Sequence, residues 1–221
     1  MRTLVALLVL VLVLVLVLAA AAPAHGREAN RGDRAARYDY FVMALSWSPT
    51  FCRTHRDERE QCRGKGYGFV LHGLWPQYEG GGGPQRCAYD HAPDRRTVER
   101  ALAFMPSRRL VQHEWRAHGS CSGLAPSAYF ALADRAFATL QVPEVLKAPR
   151  RDLRMTADRL RASLRQANPG LRDDMMSLHC SHGELVEVRV CLDRSLEPRR
   201  CGRRMRTGCP VSAPFSIPAN D

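Results

Sequence analysis

Residues 113–121 read His113-Glu114-Trp115-Arg116-Ala117-His118-Gly119-Ser120-Cys121, and residues 71–77 read Leu71-His72-Gly73-Leu74-Trp75-Pro76-Gln77. The longer stretch resembles the zinc-protease pattern His-Glu-x-x-His, but that site needs its histidines at i and i+4 on one helical face. Here the spacing is i+5, which turns the two imidazoles about 140° apart at about 100° per residue. The same wheel sets Glu114 about 100° from His113, between the two histidines. Trp115, at about 200°, can anchor the opposite side in a core.

His113, Glu114 and His118 therefore share one broad face, and His72 joins them from the end of an apolar segment. Two imidazoles flanking a carboxylate, with a third imidazole nearby, suit proton transfer beside an anion. Phosphodiester cleavage needs such a set: a base takes a proton from the attacking hydroxyl and an acid protonates the leaving oxygen. Histidine titrates in the useful range, so one ring can be neutral while another is charged. Any one of these histidines alone reads as an ordinary hydrogen-bonded side chain.

The surrounding chain has 221 residues, 33 Lys+Arg, 22 Asp+Glu, eight cysteines and a net charge of +11. Its 45% hydrophobic content excludes a disordered chain. The charge favours anionic partners. Only Lys65 and Lys147 are lysines, however, so the arginine count by itself is weak support for a binding site.

Met1-Arg2 precedes an uncharged run from Leu4 to Ala22, closed by Ala22-Pro23-Ala24. This is the layout of a signal peptide over residues 1–24, although the run is long enough to span a membrane. A secreted or periplasmic destination, with no membrane association after cleavage, is the expectation. In an oxidising compartment the even cysteine count indicates disulfides rather than a metal site, with on the order of a hundred pairings open. No metal and no cofactor are expected. No Asn-x-Ser/Thr site occurs.

Residues 25–37 read as a flexible arm. Tyr38–Trp47, Tyr67–Leu74 and Glu184–Leu192 read as strands. In the last of these Val186, Val188, Val190 and Leu192 face one way and Glu187 and Arg189 the other. Helical stripes occur at Val98/Ala101/Leu102/Met105, Phe130/Ala133/Phe137/Leu140 and Leu153/Ala157/Leu160/Leu164. Gly80–Gly83 reads as a loop, and Pro210–Asp221 as an extended tail. Strands and helices without strict alternation predict α+β: an antiparallel sheet packed with several helices in one domain.

The two histidine segments closely resemble the active-site segments of the ribonuclease T2 family, secreted metal-independent endoribonucleases with an α+β fold. Phe41–Trp47, with Pro49 and Cys52, resembles the family's first strand and loop, and the cysteine positions fit. The resemblance places a catalytic domain at 38–215 and a tail at 216–221. It implies that His72 is the general acid, His118 the general base, His113 a phosphate-binding group and Glu114 the carboxylate that stabilises the transition state. It implies Trp75 at a base-binding pocket. It further implies the pairs Cys52–Cys62, Cys87–Cys121, Cys180–Cys209 and Cys191–Cys201. The implied partner is single-stranded RNA, cleaved with little base specificity by a monomer through a 2′,3′-cyclic phosphate. DNA, lacking the 2′-OH, would be inert.

Two departures stand out. The family usually carries Lys where this chain has Ala117. Arg116, about 60° from His113 on the wheel, is the candidate to substitute at the substrate phosphate. Gln77 replaces a frequent acidic residue, leaving base preference open. Ala117 also supports an alternative: a catalytically weak RNA- or partner-binding protein on the same scaffold. The arginines at 199, 200, 203, 204 and 206 could track a polyanion or simply be solvated, while Arg108 and Arg109 lie nearer the catalytic segment.

Overall fold

Alternation along residues 40–47 builds the centre of the molecule. In the computed structural model, which describes residues 37–220, Tyr40–Trp47 forms β1. Phe41, Met43, Leu45 and Trp47 point into the main core, while Tyr40 and Val42 pack with Cys191 and Trp75 on the opposite face. The leader expected at 1–24 and most of the arm expected at 25–37 lie outside the described residues. Among the described residues no helix is long and apolar enough to cross a membrane.

After β1 come α1 (Ser48–Thr54), α2 (Arg59–Cys62), β2 (Phe69–Gln77), α3 (Arg95–Ala101), α4 (Arg108–Ala117) and α5 (Pro126–Thr139). Then follow α6 (Glu144–Lys147), β3 (Leu153–Met155), α7 (Ala157–Ala167), β4 (Met176–Ser181), β5 (Glu184–Leu192) and β6 (Phe215–Ile217). β1 lies between β2 and β5, antiparallel to both, and β4 pairs antiparallel with β5. The helices cover the core face. The fold is α+β, as expected, with one parallel contact, Glu184 to Ser216, in an otherwise antiparallel sheet.

The four disulfides are Cys52–Cys62, Cys87–Cys121, Cys180–Cys209 and Cys191–Cys201, the set the resemblance implies.

The structure corrects several sequence expectations. The second strand runs on to Gln77, so His72 sits inside β2 rather than at its end. The third helical stripe begins too early. Leu153 belongs to β3, and Thr156 caps α7 by accepting a bond from the Arg159 N–H. Along β5 a bulge opposite His179/Cys180 breaks the alternation. Leu185, not Val186, is fully buried as a result. The segment expected to be a tail is extended but not loose. Phe215 and Ile217 are buried, β6 pairs with β3, and the Trp47 indole N–H donates to the Pro218 carbonyl at 3.0 Å. The domain therefore runs past the expected boundary at 215.

The basic segment around Cys201 is partly structural. Arg199 pairs with Glu79 and Arg200 with Asp174.

Candidate active site

A bulge aims the first histidine. Ala44 pairs with Gly73 and Leu45 with Leu71, so His72 is the extra residue of β2. A bulge bends the strand and re-aims the side chain it carries. Beside it, Gly73 allows close approach of α4: a Cβ there would collide with Glu114 Oε2 and the Trp75 indole nitrogen.

α4 supplies the second group. Ser107 caps it, accepting from the Leu110 N–H at 3.3 Å. Trp115 is buried in the core, edge-on to Tyr129, as the wheel requires. Replacing Trp115 with alanine would cost about 3–5 kcal/mol. The wheel fails three residues later, at His118. α4 ends at Ala117, and His118 has φ −134° and ψ −49°, outside the helix. The chain then turns through Gly119–Cys121, where a Cβ on Gly119 would strike Trp115 and Tyr129. His118 therefore reaches the site from the helix end.

Glu114 is 1% exposed. Its Oε2 accepts from Trp75 Nε1 at 2.7 Å, and its Oε1 lies 3.5 Å from His72 Nε2 and 4.0 Å from His113 Nε2 with no hydrogen bond of its own. Burial outweighs the attraction of His72 and the Trp75 bond, and raises its pKa to about 7. His72 Nδ1 meets Glu187 Oε2 at 2.7 Å, which leaves Nε2 facing Glu114. Burial would lower the pKa of His72. The bond to Glu187 and the charges of Glu114 and Glu187 outweigh that, and the pKa is raised. Glu187 itself is lowered: the His72 bond and charge, with Arg189, overcome its burial.

His118 is the opposite case. Its Nδ1 is buried without a hydrogen-bond partner. Burial, then repulsion from His72 and His113, lowers its pKa to about 4. His113 is more exposed and more weakly lowered, by burial and by the charges of His72, Arg116 and Arg86.

The structure thus brings together His72, Trp75, His113, Glu114 and His118. Trp75 binds Glu114, and its ring is contacted by His72, by His118 and by the Arg189 guanidinium. Arg116 lines the same clefts as His113. One cleft, of about 310 Å³, joins His72 and His113 to Phe51, Val70 and Leu110. Among the described residues no three His, Cys, Asp or Glu side chains converge as metal ligands.

Sequence reasoning missed Glu187 and Arg189. Both were read as the polar side of a half-buried strand, yet Glu187 is 4% exposed, and Arg189 Nε donates to its Oε1 at 2.6 Å. Their alternation was visible; the partner of Glu187, His72, 115 residues away in sequence, was not.

Comparison with known proteins follows the same site. The model of the ribonuclease T2 family matches residues 38–201. A ribonuclease of Aeromonas hydrophila is 44% identical over 99 residues, 45% of each chain. A probable ribonuclease of Haemophilus influenzae is 31% identical over 181 residues, 75% of this chain and 62% of that one. The matches thus span about half of these relatives' own length. Among solved structures, an RNase-related protein from Calystegia sepium has a TM-score of 0.67 at 21% identity, covering 84% of this chain and 99% of the other. RNase NT in complex with 5′-AMP has a TM-score of 0.65 at 21% identity, covering 83% and 99%. At such identities these two show the fold.

Proposed function

Because the chain belongs to the ribonuclease T2 family, we propose that it is an endoribonuclease that cleaves single-stranded RNA by acid–base transesterification. The observation that carries the reading is the opposite pull on two histidines in one site: His72 raised, His118 lowered to about 4. At mildly acidic pH one is an acid with a proton to give and the other a base with room to take one.

In the first step neutral His118 takes the proton of the ribose 2′-OH, and that oxygen bonds to phosphorus. The bond from phosphorus to the 5′ oxygen breaks, and the leaving oxygen takes its proton from His72 Nε2. The product is a 2′,3′-cyclic phosphate. Its hydrolysis by water runs the two roles in reverse. DNA lacks the attacking hydroxyl and is not cleaved.

Glu114 serves the developing negative charge through its protonated form. Below about pH 7 its carboxyl holds a proton. Oε2 is engaged by Trp75, so Oε1 is the oxygen placed to donate to a phosphoryl oxygen. His113 and Arg116 face the same group. Arg116 stands in for the cation that Ala117 cannot supply, and wild-type turnover by Arg116→Ala would overturn that assignment. Trp75, which the resemblance puts at a base-binding pocket, is assigned a positioning role instead, because its indole N–H is bound to Glu114 and its ring packs against His118. The apolar cleft beside His72 takes a base with little preference.

All the groups come from one chain, so a monomer suffices. Four disulfides support an oxidising compartment, and we assign a leader to residues 1–24 and a secreted or periplasmic location. The competing reading, an RNA- or partner-binding protein with weak catalysis, rests on Ala117. RNA digestion in EDTA by wild type and His72→Phe separates the two. The nuclease reading expects cleavage in chelator, none on DNA, and near-total loss in the variant. Binding without turnover by the wild type would favour the alternative.

A further inference from the structure

Two clefts meet at His113, and their charges differ. In the cleft shared with His72, the guanidinium of Arg109 is already paired with Glu58 at 2.8 Å. The other cleft, about 430 Å³, is lined by Arg86, Cys87, Tyr89, His113, Arg116 and Ala117, with no carboxylate in its wall. Among the described residues some arginines are paired with carboxylates, Arg108 with Glu60, Arg189 with Glu187, Arg199 with Glu79 and Arg200 with Asp174, whereas others, such as Arg203, Arg204, Arg86 and Arg116, form no such pair; of these, Arg86 and Arg116 share one cleft beside His113.

Arg86 is held in place by its backbone. Its N–H donates to the Ala117 carbonyl at 2.9 Å, and the next residue is disulfide-bonded to Cys121. Its φ of 52° is left-handed, a conformation unfavourable for a residue with a Cβ and found preferentially at functional sites. Tyr89 is 42% exposed, with its ring edge-on to Trp115. Arg116 lines both clefts, whereas Arg86 lines only the outer one.

An RNA chain entering the site carries further phosphates, each one nucleotide from the bond that is cut. Guanidinium groups without internal partners suit a phosphate, and an exposed aromatic ring suits the attached base. We propose that the outer cleft is a subsite for a neighbouring, uncleaved phosphodiester of the RNA substrate. Arg86 is its distinctive cation, Arg116 bridges it to the scissile phosphate, and Tyr89 stacks on the adjoining base. This rests on the ribonuclease reading and adds a requirement on substrate length.

The test uses short substrates with one ribonucleotide in a deoxy chain, which fixes the cleaved bond. One is a dinucleotide with the scissile phosphate alone. Two trinucleotides add a phosphate on the 5′ or the 3′ side. Wild type is expected to cleave one trinucleotide about 10-fold more efficiently than the dinucleotide, by kcat/KM. In Arg86→Ala and Arg86→Gln, each checked for wild-type melting temperature, that ratio falls to about 2-fold or less. The salt dependence of kcat/KM on the longer substrate weakens with it. Two neutral substitutions guard against a local loss of structure in either one. A wild-type length ratio in both variants, or none in wild type, overturns the subsite while leaving the nuclease reading intact. Failure of wild type to cleave any of the three, or dinucleotide cleavage that survives His72→Phe, removes the nuclease reading and the subsite together.

Discussion

His72 and His118 both lie 5.2 Å from the ring of Trp75, yet their surroundings pull their protons in opposite directions. His72 is carried on a strand bulge and backed by Glu187, itself held by Arg189. His118 sits past the end of a helix, its Nδ1 buried with no acceptor, facing the charge of His72. The difference teaches how one residue type supplies both halves of acid–base chemistry. A buried carboxylate at hydrogen-bond distance outweighs desolvation, and without one, desolvation prevails.

The largest effect expected from breaking this pair is at His118. His118→Phe should lower kcat/KM by about 10²–10⁴-fold and abolish the acidic limb of the pH–rate profile. The wild-type profile should be bell-shaped. Activity is lost below about pH 4, as His118 gains a proton, and again on the alkaline side, as Glu114 ionises near 7 and His72, its pKa raised, loses its proton. An acidic limb retained in His118→Phe would assign that limb to another group.

Glu114→Gln should cost about 10²–10³-fold in turnover. It should also change stability in a pH-dependent way. The carboxyl titrates at about 7 in the fold against an ordinary 4.5, so its contribution is fully present below 4.5 and is lost as pH rises through about 7. Gln does not titrate. The melting temperature of the variant relative to wild type should therefore rise between pH 5 and pH 8. A difference independent of pH would mean that Glu114 is not held protonated by burial.

Glu187→Gln should have a smaller effect on rate, about 10-fold at the optimum. Its diagnostic is the alkaline limb, which should move to lower pH while the acidic limb stays. The ion pair needs both charges. His72 contributes stability that is present below its ordinary 6.5 and lost as pH rises past it; Glu187 contributes stability present above 4.5 and lost as pH falls. Destabilisation by Glu187→Gln should therefore be greatest between these values, as thermal melts across pH will reveal.

Half of this comparison was legible in the sequence. The i+5 spacing of His113 and His118 excluded a zinc-protease helix, and Trp115 marked the buried side of α4. The disulfide set followed from the family resemblance. The environment of the histidines was not legible. Glu187 reads as a solvent-side residue of an amphipathic strand, because period-2 alternation gives a face but not what covers it. His118 read as helical because a wheel assumes the helix continues, and the exit at Ala117 depends on Gly119 packing against Trp115 and Tyr129. The β6 strand was missed because three prolines in Pro210–Asp221 mask a three-residue strand whose antiparallel partner begins at Leu153, itself read as part of a helical stripe.

The division of roles is tested most directly by NMR titration of isotope-labelled histidine side chains, assigned by His72→Phe and His118→Phe. The account predicts that His72 titrates above 6.5 and His118 near 4, so that between those values His72 is charged and His118 neutral. The reverse order, or two histidines titrating together near 6.5, would contradict it.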